Sequence, residues 1–142
     1  MIRILVADDH AVVRQGVKQI LADVQDMTVK DEAQNGSETL KKVAENEYDV
    51  VLLDISMPGR SGLEVLEDIK TQHPKLAVLI LSMHPEEQYA VRALRAGASG
   101  YLTKASAPQE LIGAIRKVAG GGKYVTSSLA EKLADELEID TE

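Results

Sequence analysis

The chain has 142 residues, of which 23 are acidic and 16 basic, so its formal net charge is −7. It has no cysteine, which excludes disulfides, thiolate metal sites and cysteine nucleophiles. An acidic chain of this size binds nucleic acid or anionic membranes poorly through charge alone. Because 44% of the residues are hydrophobic and no apolar run approaches the roughly 20 residues that cross a bilayer, we expect a soluble cytoplasmic domain.

Five short apolar segments alternate with longer segments of helical periodicity. The predicted strands are Ile2–Ala7, Thr28–Ala33, Val50–Asp54, Val78–Ser82 and Tyr101–Thr103. The third and fourth are continuous apolar runs, which are typical of parallel strands covered on both faces. The second is mixed and polar, which favours the edge of the sheet.

The segments between the strands carry apolar residues at helical spacing, with turn residues at their ends. Asn35-Gly36-Ser37 predicts a turn and the start of a helix, Gly97 a helix end, and Pro108 the first turn of the last helix. This alternation predicts an α/β fold: a flavodoxin-like (βα)5, doubly wound, five-stranded parallel sheet of order 2-1-3-4-5. Ligands then bind at the carboxyl ends of strands 1 and 3.

The last part of the chain differs in composition from the rest. Gly120-Gly121-Gly122 divides a predicted domain over 1–120 from a Gly-rich hinge and helical linker over 121–142. Within the linker, Thr126–Ile139 has leucines at helical spacing, which predicts a sixth helix. Residues 126–142 hold six acids and one base, and therefore −5 of the net charge of −7.

Charged or hydroxyl side chains lie at the end of four of the predicted strands or just after it. Asp8 and Asp9 come after strand 1, Asp54 ends strand 3, Ser82 ends strand 4 and Lys104 follows strand 5. These ends share one edge of a parallel sheet, where three carboxylates would repel one another. A divalent cation with a preference for oxygen ligands, such as Mg²⁺, would relieve that repulsion. Three acids, one lysine and one hydroxyl therefore predict a phosphoryl site with its metal.

Four segments surround these residues: Val6-Ala7-Asp8-Asp9-His10, the run LLDISMPG over 52–59, Ser82 at its strand end, and AGASGYLTK over 96–104. In this order and spacing they resemble the receiver domain of bacterial two-component response regulators. The run LSMH over 81–84 and the run RALRAGASGY over 92–101 are similar to the NarL/FixJ (LuxR-type) subfamily. Members of that subfamily bind DNA through a C-terminal helix-turn-helix domain. The resemblance therefore implies a receiver and linker, with the DNA-binding domain outside this chain.

The resemblance also implies roles for particular residues. Asp54 would be the phosphoacceptor, which takes its phosphoryl group from a sensor histidine kinase. Asp9, Asp54 and the backbone carbonyl of Ser56 would bind Mg²⁺ directly, and Asp8 would bind it through water. The small side chain of Ser56 would leave a path for hydrolytic water, which favours a short-lived phosphoryl group.

Three further residues would respond to the phosphoryl group. Lys104 would pair with one phosphoryl oxygen, and the Ser82 hydroxyl would bond another. Tyr101 would follow Ser82 from an outward to an inward rotamer and change the face formed by helix 4, strand 5 and helix 5. A phosphorylation-linked homodimer is implied as well. Ala105, where the subfamily commonly has an acid, departs from the pattern, and a trans peptide bond is expected before it.

Two other functions remain open on the residues alone. An aspartyl-phosphate phosphatase of the haloacid dehalogenase type would need Asp-x-Asp after strand 1, where this chain has adjacent acids. A flavodoxin-like small-ligand binder would need a glycine- or hydroxyl-rich loop there. The favoured function is a phosphorylation-controlled switch that is not a dedicated enzyme.

His10 is predicted to contact the start of helix 1 rather than a metal, and His73 and His84 are predicted to be solvated.

Overall fold

The computed structural model describes residues 1–57, 61–83, 86–104, 106, 108–125, 130–131 and 134, without the side chains of 86–88. Strands and helices alternate along these residues. The strands are β1 (Ile2–Ala7), β2 (Met27–Ala33), β3 (Val50–Leu53), β4 (Ala77–Ser82) and β5 (Gly100–Thr103). The helices are α1 (Ala11–Ala22), α2 (Gly36–Glu45), α3 (Gly62–Gln72), α4 (Glu86–Arg95) and α5 (Pro108–Ala119). None of the described helices is long and apolar enough to span a membrane.

The strands form one parallel sheet of order β2-β1-β3-β4-β5, which confirms the predicted fold. The polar strand β2 lies at an edge, as its composition predicts. The central strand β3 ends at Leu53, so Asp54 lies one residue beyond it rather than within it. Leu53 is in register with Ala7 of β1 and Ile80 of β4, which brings the carboxyl ends of the three strands together.

Alternate residues of the strands face two separate apolar layers. Helices α1 and α5 cover one face and α2, α3 and α4 cover the other. The α1/α5 layer includes Ile4, Val6, Leu52 and Leu79 from the sheet, with Val17, Leu21, Leu111 and Ile115 from the helices. The opposite layer includes Leu5, Val51, Leu53 and Ile80, with Val43, Val65, Ile69 and Ala90. Burial of both faces is what the continuous apolar runs of β3 and β4 require.

The helix ends follow the local chemistry of the chain. The side chain of Asn35 accepts a hydrogen bond from the Glu38 N–H at 2.8 Å, so the predicted turn residue is itself the N-cap of α2. Ser61 caps α3 in the same way. Gly97 follows α4 with a φ of 108°, a conformation that favours glycine, and α5 begins at Pro108.

The chain beyond α5 returns to the edge of the sheet. The Tyr124 N–H donates to the Ser99 carbonyl at 2.9 Å, and Tyr124 forms a parallel bridge with Gly100 of β5. A Cβ on Gly100 would lie 2.8 Å from the Tyr124 carbonyl oxygen, so the close approach requires glycine. Tyr124 packs against the α1/α5 layer and Val125 against the opposite layer. The segment that contains Tyr124 and Val125 therefore pairs with the start of β5 at its outer edge.

The predicted linker helix over Thr126–Ile139 lies mostly outside the described residues. Ala130, Glu131 and Ala134 are helical. The predicted boundary at residue 120 stays a prediction.

Candidate functional site

The central strands bring two acids to the same edge of the sheet. The Asp54 N–H donates to the Ala7 carbonyl at 3.0 Å, which extends the pairing of β1 and β3 by one residue. Asp8 and Asp54 thus follow neighbouring strands, and each is only 2% exposed. Burial of two carboxylates this close together requires positive partners or hydrogen-bond donors.

Lys104 supplies a positive charge to both buried acids. Its Nζ lies 2.7 Å from Asp8 Oδ2 and 3.3 Å from Asp54 Oδ2, and its side chain is 8% exposed. The Lys104 N–H donates to the Ser82 carbonyl at 2.7 Å, which fixes the loop after β5 against the end of β4. One ammonium group therefore faces two buried carboxylates, and the neighbouring Asp9 adds a third acid.

The second oxygen of Asp54 is held by the loop that follows it. The Ser56 N–H donates to Asp54 Oδ1 at 3.1 Å. The first residue of α3, Gly62, packs directly on this loop, and its N–H donates to the Ile55 carbonyl at 2.9 Å. A Cβ on Gly62 would lie 2.3 Å from Ile55 Cα and 2.8 Å from the Asp54 carbonyl oxygen. Only glycine fits there, so the start of α3 positions the acid. Residues 58–60 lie outside the described part of the chain.

The start of α1 positions Asp8. Its Oδ1 accepts a hydrogen bond from the backbone N–H of His10 at 2.8 Å. The Arg14 guanidinium donates to the Asp8 carbonyl at 2.7 Å and to the Glu32 carboxylate at 3.1 Å. The contact with Asp8 fixes the loop between β1 and α1, and the contact with Glu32 joins α1 to β2. Sequence reasoning missed Arg14, although its place one turn into the helix that follows the acids was a usable signal.

His10 is the N-cap residue of α1, as predicted, but its side chain makes no capping hydrogen bond. Its Nδ1 instead lies 3.0 Å from Asp8 Oδ1 and 3.1 Å from Asp9 Oδ1. The side chain is 58% exposed, and that of Asp9 is 30% exposed. Sequence reasoning did not place His10 among the acids.

Four side chains at this edge are spaced to hold one metal ion. Ligand atoms of Asp8, Asp9, His10 and Asp54 all lie within 4.8 Å of one another. Three of the four are carboxylates, which are the ligands that Mg²⁺ prefers in proteins. Asp9 lies on the solvent side, so an ion can reach the group. The donor set therefore fits the predicted magnesium ion.

The predicted switch residues lie on the two strands farthest along the sheet. Ser82 ends β4 in register with Thr103, and it is fully buried. Tyr101 lies on β5 in register with Ile80 and is 1% exposed, within the apolar layer that contains α4. The side chain of Tyr101 is therefore in the inward position. The predictions for His84 and Ala105 fall on residues outside the described set.

Comparison with known proteins agrees with this arrangement. A family model described as "Response regulator receiver domain" matches residues 4–116. Response regulator GacA of Pseudomonas viridiflava is 42% identical over 134 residues, which are 94% of this chain and 63% of that protein. This chain belongs to the response regulator receiver family. Response regulator UvrY of Escherichia coli K12 is 40% identical over 94% of this chain and 62% of its own length.

Solved receiver structures have the same fold. A LuxR-family two-component response regulator from Aurantimonas sp. SI85-9A1 superposes with a TM-score of 0.86 at 34% identity, over 94% of this chain and 96% of that one. The receiver domain of a putative response regulator NarL from Mycobacterium tuberculosis gives 0.78 at 34% identity, over 84% and 97% of the two chains. The receiver spans about 63% of the length of its curated relatives.

Family membership also decides among the three functions predicted from the residues. Receiver domains are phosphorylation-controlled signalling switches, so the switch is favoured over the phosphatase and the small-ligand binder. The site agrees, because the isolated acid follows the third strand and the acids after the first strand are adjacent. The subfamily resemblance is confirmed by the GacA, UvrY and LuxR-family relatives.

The opposite, amino-terminal edge of the receiver sheet has paired charges. Arg3 Nε lies 3.1 Å from Asp49 Oδ2, and Arg3 Nη1 lies 3.5 Å from Glu47 Oε2. The hydrogen bond from the Arg3 side chain holds the pKa of Asp49 below its ordinary value. Nearby, the Tyr48 hydroxyl donates to Asp31 at 2.6 Å, and burial together with that carboxylate raises the pKa of Tyr48. At this edge, therefore, Asp49 and Glu47 share the Arg3 guanidinium, and Asp31 accepts from the Tyr48 hydroxyl.

Proposed function

We propose that Asp54 accepts a phosphoryl group from the phosphohistidine of a sensor histidine kinase. The observation that carries the proposal is the placement of Asp54, buried at the end of the central strand with both oxygens fixed. One oxygen takes the Ser56 N–H and the other faces Lys104. In the transfer, an Asp54 oxygen bonds to phosphorus, the phosphorus–nitrogen bond breaks, and its electron pair stays on the histidine ring.

The metal ligands proposed are Asp9, Asp54 and the Ser56 carbonyl directly, with Asp8 through water. When bound, Mg²⁺ would neutralise negative charge on the phosphoryl oxygens. The Lys104 ammonium already pairs with Asp54 Oδ2 and with Asp8 Oδ2. A phosphoryl group on Asp54 would offer that ammonium new oxygens, so Lys104 would exchange a carboxylate partner for a phosphoryl one.

The same exchange provides a route for the switch. The Lys104 N–H donates to the Ser82 carbonyl, so the residue that holds the phosphoryl oxygen is attached to the end of β4. We propose that the Ser82 hydroxyl donates to a phosphoryl oxygen and that the inward Tyr101 side chain stabilises the resulting face of α4, β5 and α5. The domain would catalyse its own phosphorylation and its own dephosphorylation, with no separate substrate.

The proposed partners are the sensor histidine kinase and a second copy of the chain, in the cytoplasm. The exposed face of α1 and α5 suits a two-fold contact, because Val12 is 84% exposed and a Cβ on Gly16 or Gly113 would meet nothing within 4 Å. We expect analytical ultracentrifugation to show a dimer that beryllofluoride favours, and the same dissociation constant with and without beryllofluoride would contradict this partner. DNA contact is proposed only through a domain outside this chain, since the net charge of −7 opposes direct binding.

The test is intact-mass spectrometry after incubation with acetyl phosphate and Mg²⁺. The native chain is expected to gain one phosphoryl group, and Asp54→Asn none. Asp49→Asn is the matched control, because Asp49 precedes β3 at the amino end of the sheet, whereas Asp54 follows β3 at the carboxyl end. This variant should be phosphorylated normally. Normal uptake by Asp54→Asn, mapped to another residue, would refute the assignment.

A further inference from the structure

The acids of the site are held through the backbone as well as through their side chains. The Asp8 carbonyl belongs to the peptide group that joins Asp8 to Asp9, and it accepts a hydrogen bond from Arg14 Nη1 at 2.7 Å. On the other side of the residue, the Asp8 N–H donates to the Ala33 carbonyl at 3.0 Å. Because a peptide group is planar, a bond to its carbonyl also orients the backbone from which the Asp9 side chain extends. Arg14 therefore influences both acids through one peptide group.

The Arg14 side chain is itself held by the edge strand of the sheet. Its Nε donates to Glu32 Oε1 at 3.1 Å, and the side chain is only 13% exposed. Glu32 lies on β2 in register with Val6 of β1. The N–H groups of a guanidinium form a rigid fork, so one bond to β2 and one to the loop fix the group in place. Strand β2 thus supports the loop that carries the metal ligands.

A second cation on α1 pairs with the same carboxylate. Lys18 follows Arg14 on the same face of the helix, and its Nζ lies 3.0 Å from Glu32 Oε2. Both cations therefore join α1 to β2. They differ at the metal site, because the hydrogen bond to the Asp8 carbonyl comes from Arg14. Comparison of the two residues separates support of the loop from attachment of the helix.

Two effects of Arg14 on a bound cation oppose each other. The positive charge of the guanidinium repels Mg²⁺, which lowers the affinity of the site. The hydrogen bond to the Asp8 carbonyl orients the acids, which raises the affinity, because Mg²⁺ demands near-ideal octahedral geometry from its ligands. Groups that orient metal ligands typically contribute about 10–100-fold to metal affinity.

We propose that Arg14 is a positioning residue of the magnesium site and that the orientation it imposes outweighs the repulsion by its charge. The inference rests on the metal site of the proposed function and deepens it, since Arg14 then sets how readily the switch takes up its ion. The loss on substitution falls on Mg²⁺ affinity rather than on the transfer step. The reason is that Arg14 contacts the loop after β1, whereas Asp54 follows β3.

Titration calorimetry of the full chain with Mg²⁺ measures the effect of orientation. Arg14→Met keeps an apolar stem and removes the hydrogen bonds, and its Mg²⁺ affinity should fall by about tenfold. Lys18→Met is the matched control, because it removes the other cation on Glu32 and should leave the affinity unchanged. Unchanged or higher affinity in Arg14→Met would mean that charge offsets or outweighs orientation. An equal loss in Lys18→Met would mean that only attachment of the helix matters, and either result would overturn the proposal.

Arg14→Lys keeps the positive charge, so its Mg²⁺ affinity reports on orientation alone. A lysine presents one ammonium instead of a fork and cannot bond the Asp8 carbonyl and Glu32 in the same geometry. The affinity should therefore fall in this variant too. Native affinity in Arg14→Lys would overturn the proposal, including the case in which Arg14→Met does not fold.

The rate of phosphorylation by acetyl phosphate, measured over a range of Mg²⁺ concentrations, separates orientation from loss of fold. Arg14→Met should need about tenfold more Mg²⁺ for half its maximal rate and should approach the native rate at saturation. A rate lowered equally at every concentration would indicate a loss of folded protein and would overturn the proposal. Native Mg²⁺ dependence in Arg14→Met, with normal uptake by the native chain, rejects the role of Arg14 alone. The expected loss of affinity in a chain that takes up no phosphoryl group rejects the proposed transfer alone.

Discussion

The two ends of the sheet place their charges in opposite ways. At the amino end, Arg3 is bonded to Asp49 and Glu47 in positions open to solvent, so acids and base satisfy one another. At the carboxyl end, Asp8 and Asp54 are buried and share the single ammonium of Lys104, and Asp9 adds a further negative charge. The ion pairs at the amino end contribute only to the stability of the fold. The arrangement at the carboxyl end maintains an excess of negative charge that an incoming cation would neutralise.

This difference shows that the carboxyl end of the sheet holds the less stable arrangement of charges. Burying a carboxylate is costly, and two carboxylates on one lysine cannot both be fully compensated. The hydrophobic packing of the strands on both faces provides the stability that holds these acids in place. We therefore expect substitutions at the carboxyl end to change stability in a way that depends on metal, and those at the amino end to change it in a way that does not.

The largest effect should come from Lys104→Ala. Removal of the ammonium leaves two buried carboxylates unpaired, which costs about 3–5 kcal/mol of unfolding free energy. Added Mg²⁺ should restore part of this loss, because it replaces the missing positive charge and binds only the folded chain. Urea denaturation with and without Mg²⁺ measures both quantities. Arg3→Ala, at the amino end, should respond to Mg²⁺ no more than the native chain, and an equal response of the two variants would break the comparison.

Gly62→Ala should have the next largest effect. Its Cβ would lie 2.3 Å from Ile55 Cα, so α3 or the loop that holds Asp54 must shift. Overpacking of this kind costs about 1–3 kcal/mol, and the displaced acid should be phosphorylated more slowly. Gly113→Ala is the control, because its Cβ meets nothing within 4 Å in α5 and should stabilise the helix by about 0.5–1 kcal/mol. Thermal unfolding and phosphorylation rates that are alike for both variants would contradict the role of Gly62.

The two acids after β1 should differ in their effect on metal affinity. Asp9→Asn removes the proposed direct ligand and should weaken Mg²⁺ binding by about tenfold. Asp8→Asn should weaken it less, because a bridging water can adjust and the side chain also serves Lys104. Titration of Mg²⁺ against each variant gives the order. A reversed order would identify Asp8 as the direct ligand and Asp9 as the water-mediated one.

The smallest effect concerns pH at the amino end. Arg3 lowers the pKa of Asp49 in the folded state, so the pair contributes stability above the unfolded pKa and loses it as the pH falls through the folded value. Asp49→Asn should cost under about 1 kcal/mol near neutral pH, since the pair is partly exposed. The difference from the native chain should shrink below about pH 4. Urea unfolding at several pH values measures it, and a difference that grows on acidification would contradict this account.

The fold was predictable because its signals are local and repeated. The continuous apolar runs of β3 and β4 identified buried parallel strands, and the polar character of β2 identified the edge. Once the order of the strands was known, the acids after β1 and β3 had to lie side by side. The placement of Asp8, Asp54 and Lys104 at one edge of the sheet therefore follows from periodicity and topology.

Other contacts depend on geometry that the sequence does not encode locally. Gly62 requires glycine because the start of α3 approaches the Asp54–Ile55 backbone, and no nearby turn signal predicts that distance. The position of the His10 ring depends on the rotamer that its side chain adopts at the N-cap of α1. Likewise, Lys104 was predicted to meet a phosphoryl oxygen, whereas its carboxylate partners depend on side-chain reach across three strands.

The bridge between Tyr124 and Gly100 has a consequence for where the domain can be cut. A chain shortened after Gly120 would lose the segment whose Tyr124 bridges Gly100 and donates to the Ser99 carbonyl at the free side of the sheet. The exposed backbone of that strand would then be a template for pairing between molecules, as unprotected sheet edges are. A shortened protein should therefore retain Val125, and fusions placed at residue 120 would aggregate more readily than fusions placed a few residues later.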